Sequence, residues 1–186
     1  YLKQHFAKDI PVISEKTMQD AFNENKEKIE LVRASHILIT PEKKDDPESK
    51  KAALEKIKQI RNEIDSGKIS FAAAATKYSQ DRGSQEQQGD LGYFERVRMT
   101  PPFATAAFAI KKIGEMSPVV ETEYGYHLIL LTGDLRGFDL NKEKIRSTLY
   151  DKVMKPKVDG YFAKLRESAK TEILNKDIMS IPISKQ

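Results

Sequence analysis

The chain has no cysteine, which excludes disulfides, thiolate metal sites and a cysteine nucleophile. No apolar run approaches the ~20 residues that a membrane-spanning helix needs. It also lacks a Gly-x-Ser-x-Gly elbow, an internal repeat and a low-complexity tract. Only three histidines are present, with no carboxylate–histidine helix motif beside them, so a hydrolase or metal-enzyme reading ranks a distant third. What remains is a 186-residue chain, 39% hydrophobic and 32% charged, with the composition of a globular protein whose surface is highly solvated. That length holds one ordinary domain, or a compact domain of roughly 100 residues with substantial extra helix; the second fits better.

The formal charge of +4 is unevenly placed. Lys and Arg against Asp and Glu number 6 and 6 over residues 1–33, 14 and 15 over 34–135, and 12 and 7 over 136–186. The tail cations alternate with acids and apolar residues at helical spacing, which favours a solvated helix face over a nucleic-acid surface. Tyr1 opens the chain in what reads as a helix over Tyr1–Phe6, without a charged-then-apolar leader, and the expectation is that an upstream segment has been removed.

Along the chain, Ser14 predicts an N-cap for a helix from Glu15 to about Ile29, with Met18, Ala21 and Phe22 on one face. Arg33 to Thr40 alternates at period two, placing Ser35, Ile37 and Ile39 on one face of a strand and His36, Leu38 and Thr40 on the other. Asp46-Pro47 starts a helix that Ser66-Gly67 stops, and Ser70 starts a second that reaches Tyr78. A polar loop follows from Ser79 to Gly89, then a short strand from Leu91 to Phe94. Pro101 or Pro102 begins a third helix carrying Phe103, Ala107 and Phe108 that Gly114 should terminate. Ser117–Thr122 and Tyr126–Leu131 should pair as a hairpin across Tyr124-Gly125. From about Asn141 the pattern is helical again, with an apolar stripe interrupted at Pro156, where a kink or two helices are expected. Thr171–Leu174 reads as a final strand. This order gives an α+β fold with a small, mostly antiparallel four-stranded sheet and surrounding helices.

Six blocks stand out: Ala-Ser-His-Ile-Leu-Ile at 34–39, Tyr-Ser-Gln-Asp at 78–81 with Ser84, Gly-Asp-Leu-Gly-Tyr-Phe at 89–94, Met99 with Phe103, Ala-Ala-Phe at 106–108, and Gly-Tyr-His-Leu-Ile at 125–129. Their order and spacing resemble the parvulin family of peptidyl-prolyl cis/trans isomerases, whose domain is FKBP-like. The resemblance implies a domain over 33–135, with a helical N-terminal flank at 1–32 and a helical C-terminal flank at 136–186. The flanks look like those of SurA-like and PrsA-like bacterial foldases, in which such segments form a separate chaperone module. It implies His36, Asp81 and His127 as catalytic residues, and Leu91, Met99, Phe103, Thr122 and Tyr124 as substrate-binding ones. Ser84 and Thr122 would complete a polar rim. It also implies unfolded or proline-containing polypeptide clients, a periplasmic or otherwise extracytoplasmic location in a bacterium, and neither cofactor nor metal.

These residue types suit the reaction. An Xaa–Pro bond rotates over a barrier of ~18–20 kcal/mol because amide resonance must be broken, yet no covalent bond is cleaved. A site must grip the proline ring, exclude water and favour the twisted amide over both planar forms. A thioether, an aromatic face and a branched aliphatic provide the grip, and paired imidazoles can hold each other's tautomer. By composition alone, Leu91, Met99 and Phe103 read as core; the blocks around them reverse that preference. Two departures from the family pattern matter. Tyr124 stands where some parvulins carry a small hydroxyl residue, and the 41–46 loop mixes charges where phosphate-directed members are basic. The runner-up reading is a non-enzymatic chaperone or peptide-binding module on an inactive parvulin fold. Self-association through the helical flanks is a further expectation, because their apolar stripe needs a cover.

Overall fold

A computed structural model describes residues 5–169. The strand expected at Thr171–Leu174 and the first four residues of the helix read at Tyr1–Phe6 lie outside the described residues. The chain forms two compact units, one from Glu15 to Ile145 and one from Tyr1–Ser14 with Arg146–Gln186.

The larger unit is built around a four-stranded sheet. Its strands are β1 (Leu31–Ile39), β2 (Asp90–Glu95), β3 (Val120–Thr122) and β4 (Gly125–Leu135), in the order β2-β1-β4-β3 with every neighbour antiparallel. Directly opposed residues share a face, so the register His36↔Ile129, Leu38↔His127 and Val120↔His127 puts both histidines on the same side of the sheet. That side is packed by helix α4 (Pro101–Ala109), through Phe103, Ala107 and Phe108 against Val32, Ala34, Ile129 and Leu131. The opposite side carries Ile37, Ile39, Tyr126 and Leu128, covered by α2 (Pro47–Asp65) and α3 (Phe71–Tyr78) through Ala53, Ile57, Ile60, Ala74 and Ala75. The two central strands, β1 and β4, therefore place apolar residues on both faces, and their period-two alternation separates two cores rather than core from solvent.

Local chemistry sets the helix starts. The Asp46 carboxylate accepts the Ser49 N–H at 2.8 Å with Pro47 at the first helical position, and Ser70 Oγ accepts the Ala73 N–H at 3.2 Å. Helix α1 (Glu15–Ile29) is interrupted at Asn25, whose backbone leaves the helical region and whose side chain bonds the Ala21 carbonyl. Helix α4 ends at Ala109, well short of Gly114: Ile110 turns extended and is buried with Phe94 and Phe103, so packing overrides the helical pattern. Gly114 instead makes a turn at φ +90°, where its N–H reaches the Leu131 carbonyl at 2.8 Å.

The hairpin forms, but its turn is Glu123-Tyr124 rather than Tyr124-Gly125, because Gly125 already pairs with Thr122 as the first residue of β4; β3 is shorter and β4 longer than the sequence pattern implies. Met116 and Ser117 reach β4 through an isolated bridge to Leu130 and a pair of Ser117 bonds to Ile129, its N–H donating to the Ile129 carbonyl and its Oγ accepting the Ile129 N–H, rather than as part of a strand. A single helix α5 (Phe138–Ser168) runs through Pro156, where two helices were an alternative. Pro156 faces solvent, and water there can satisfy the carbonyl that the missing N–H frees. In the smaller unit, Phe6 and Met154 are buried and Tyr161 packs on the rings of His5 and Phe6, while Val12, Phe162 and Leu165 are exposed.

Candidate active site

Two strands and one docked loop assemble the site. His36 on β1 and His127 on β4 are buried, stacked at 18° between ring planes, with their Nδ1 atoms 3.2 Å apart. The loop after α3 reaches them because it is strapped along β1. Gln80 N–H bonds the Leu38 carbonyl at 2.8 Å, Leu38 N–H bonds Ser79 Oγ at 3.2 Å, and Thr40 N–H bonds Gln80 Oε1 at 2.6 Å. Asp81 consequently lies beside the first histidine, with its Oδ2 2.8 Å from His36 Nε2. Below, the His36 N–H bonds the Gly89 carbonyl at 2.8 Å. Gly89 sits at φ +82°, and a Cβ there would lie 2.3 Å from the His36 carbonyl oxygen, so only glycine fits.

Proton positions follow from the acceptors. An ionised carboxylate only accepts, so His36 Nε2 donates to Asp81 and, in the tautomer that carries its single ring proton there, His36 Nδ1 is an acceptor. The opposed His127 Nδ1 must then carry its proton, which leaves His127 Nε2 to accept from Thr122 Oγ1 at 2.8 Å. Thr122 Oγ1 accepts the Tyr124 N–H at 3.1 Å. Hydrogen bonds thus run in one direction from the 122–124 turn through both rings to Asp81.

The electrostatics agree with neutral His127. Burial, and secondarily the neighbouring His36, push it down from 6.5 to about 4, against a smaller opposing pull from Asp81. For Asp81, burial acts to raise the pKa, but hydrogen bonds from Ser84, His36 and the Gly83 N–H outweigh it and hold the carboxyl below its usual range.

Of the residues read from sequence, His36, Asp81, His127 and Thr122 come into this one chain of contacts. Phe103 is 4% exposed and packs edge-on to both imidazoles, with ring centroids 5.7 and 5.3 Å away, so most of its ring is core. Leu91 and Met99 are half-buried beside it. Tyr124 touches the relay only through its backbone N–H; its side chain is 58% exposed. Ser84, expected on the rim, lies beneath the site at 2% exposure, with Oγ donating to Asp81 Oδ2 at 2.5 Å and 3.1 Å from His36 Nε2. Sequence reasoning missed Ser79 and Gln80 as positioning residues, although both fall in the Tyr-Ser-Gln-Asp block. Among the described residues, no group of three or more His, Cys, Asp or Glu could hold a metal ion.

A family model for the rotamase, the PPIC-type PPIASE domain, matches residues 36–133. The chain is 34% identical over 183 residues to the foldase protein PrsA of Geobacillus sp. (strain WCH70), covering 97% of this chain and 60% of that protein. It is 42% identical over 115 residues to the peptidyl-prolyl cis-trans isomerase Pin1 of Malus domestica, covering 55% of this chain and 93% of that one. Among solved structures, the peptidylprolyl isomerase PrsA of Bacillus cereus superposes with a TM-score of 0.50 at 29% identity, covering 89% of this chain and 58% of that one. The chain thus spans little more than half the length of the foldases that it resembles.

Proposed function

The chain belongs to the family of PPIC-type peptidyl-prolyl isomerases, and from that premise we infer that residues 33–135 form a domain catalysing cis/trans isomerisation of Xaa–Pro bonds in unfolded or exported polypeptides. The observation that carries this reading is the relay of Thr122, His127, His36 and Asp81, with the Phe103 ring packed perpendicular to both imidazoles. Rotation about a prolyl bond needs no proton transfer, and the relay is built to hold protons in place rather than move them. Its imidazoles are buried and mutually oriented, so they form a rigid floor.

Leu91, Met99 and Phe103 bind the pyrrolidine ring and keep water from the amide. Asp81, still ionised and partly exposed, faces the substrate carbonyl. A planar amide carries partial negative charge on that oxygen through resonance, and twisting the bond removes it. Repulsion from the carboxylate therefore weighs on both planar forms more than on the twisted one, which lowers the barrier. The test is Xaa–Pro peptide exchange followed by NMR. The protein should accelerate exchange and Met99→Ala should slow it; identical rates with and without protein reject the enzyme reading.

The flanks, 1–32 and 136–186, act as a chaperone segment that holds clients near this domain, outside the cytoplasmic membrane and in a periplasm or its equivalent. Support comes from the similarity to PrsA foldases and from exposed apolar side chains at Val12, Phe162 and Leu165. The same surface is where copies would self-associate, which light scattering across a concentration series tests.

A further inference from the structure

Helix α4 departs from the pattern that α2 follows. The outer face of α2 carries Lys51, Glu55 and Lys58, as expected of a helix with one face in water. In a chain that is 32% charged, the nine residues of α4 include no charge at all. Phe103, Ala104, Ala107 and Phe108 are buried, and what faces solvent is Pro101, Pro102, Thr105 and Ala109. A helix apolar all round is normally covered all round, so this outer face calls for a partner.

The same face lines a cavity of about 590 Å³ that the relay does not use. Met116, Pro118 and Val120 help to complete the lining, and its only charged members, Lys111 and Glu115, are exposed and opposite in sign. The buried Ser117 hydroxyl is already committed, donating to the Pro118 carbonyl at 2.7 Å and accepting the Ile129 N–H at 3.1 Å. Apolar surface is therefore the main selector, and the volume suits several side chains rather than one. Pro101 to Ala109 covers about 12 Å of helix, a length that an extended chain crosses in about four residues.

The lining leads back to the proline site at two points. Met99 stands two residues before Pro101 at the start of α4. Across from it, Val120 and Thr122 are alternate residues on one face of β3, the face where Val120 opposes His127, so the groove lies one two-residue step of about 6.6 Å from the relay's Thr122 end. Strand β3 is also an edge of the sheet, which leaves the approach open on its outer side. A polypeptide whose prolyl bond lies over the relay thus delivers its neighbouring residues to the groove at high effective concentration.

Resting on the isomerase reading, we propose that this groove is a second binding site for the same client, taking about four residues of extended apolar polypeptide beside the prolyl segment. The experiment measures NMR exchange of one prolyl tetrapeptide, of that peptide extended by Leu-Val-Ala-Leu before or after it, and of matched Gly-Ser extensions. Each is run with the full chain and with Thr105→Glu and Ala109→Glu, two exposed positions outside the relay. For the unsubstituted protein, an apolar extension on one side should raise kcat/KM about tenfold over its Gly-Ser counterpart, mainly through KM, the scale of burying one aliphatic side chain. Both variants should cut that gain to within about twofold and leave the tetrapeptide rate unchanged. A proline-free Leu-Val-Ala-Leu peptide should also shift the amide resonances of Thr105, Ala106 and Ala109. No gain from either extension, a gain that survives both variants, or unmoved groove resonances would overturn the client groove while leaving the isomerase reading intact. Groove resonances that move on dilution, or on deletion of residues 170–186, would assign the cover to a second copy or to the chain's own tail and overturn it as well. Absence of acceleration for every peptide would overturn the isomerase reading, with the proline-free titration still deciding the groove.

Discussion

His127 makes acid stability a direct test of the relay. The ring is 4% exposed, its Nδ1 lies 3.2 Å from His36 and its Nε2 lies 2.8 Å from Thr122. Burial and the neighbouring imidazole bring its pKa from 6.5 to about 4 in the folded protein. An unfolded chain returns it to about 6.5. Between those values the unfolded state binds a proton that the folded state refuses, so stability is full above pH ~6.5 and falls as pH drops toward 4. A gap of about 2.5 pH units at ~1.4 kcal/mol each makes the full loss about 3.5 kcal/mol, of which about 3 kcal/mol is reached by pH 4.

Asp81 acts in the same sense but lower. Its carboxyl is held below the usual range, so its contribution is present above the ordinary carboxylate pKa and disappears only as pH falls through its lowered value. The perturbation is His127→Asn, which keeps an amide donor toward His36 and removes the titration. Denaturant unfolding at pH 7.5, 5.5 and 4 should show the unsubstituted protein losing about 3 kcal/mol more than the variant over that span. The His127 ring C–H resonances should titrate near pH 4. Parallel stability curves, or a His127 titration midpoint near 6.5, would refute the buried neutral relay.

Three further substitutions probe what supports the rings. Gly89→Ala places a Cβ 2.3 Å from the His36 carbonyl oxygen at φ +82°. With about 1–2 kcal/mol of left-handed strain and about 1 kcal/mol of lost His36 N–H bonding, the melting temperature should fall by roughly 5–10 °C, and an unchanged value contradicts the close approach. Ser84→Ala removes the buried hydroxyl that donates to Asp81; the carboxyl pKa should rise by carbon-detected NMR and stability should drop by about 1–2 kcal/mol, whereas an unmoved pKa would remove Ser84 from the site. Thr122→Val leaves His127 Nε2 as an acceptor without its donor, at a cost of about 1–3 kcal/mol. Imidazole nitrogen shifts should report the lost Nε2 hydrogen bond; an unchanged Nε2 shift would mean that Thr122 donates elsewhere.

The parts of this protein governed by neighbours a few residues away were legible in its sequence. Asp46-Pro47 and Ser70 start helices because a side-chain oxygen three residues upstream satisfies a free N–H, and the alternation from Arg33 to Thr40 assigns His36 and Leu38 to one face whatever else folds. The spaced blocks marked the family and the residues that now meet at the relay. What tertiary structure alone decided is every quantity that depends on register or burial. The 3.2 Å between His36 and His127 spans 91 residues of chain and is fixed by the β1–β4 pairing, which no local rule encodes. The same holds for the loop strapped along β1, for Ser84 beneath the site instead of on its rim, and for Phe103 buried perpendicular to both imidazoles. Helix α4 stops at Ala109 because burying Ile110 outweighs another turn, and α5 passes Pro156 because that position is wet. Periodicity and capping act over about four residues, whereas burial and pairing are properties of the packed whole.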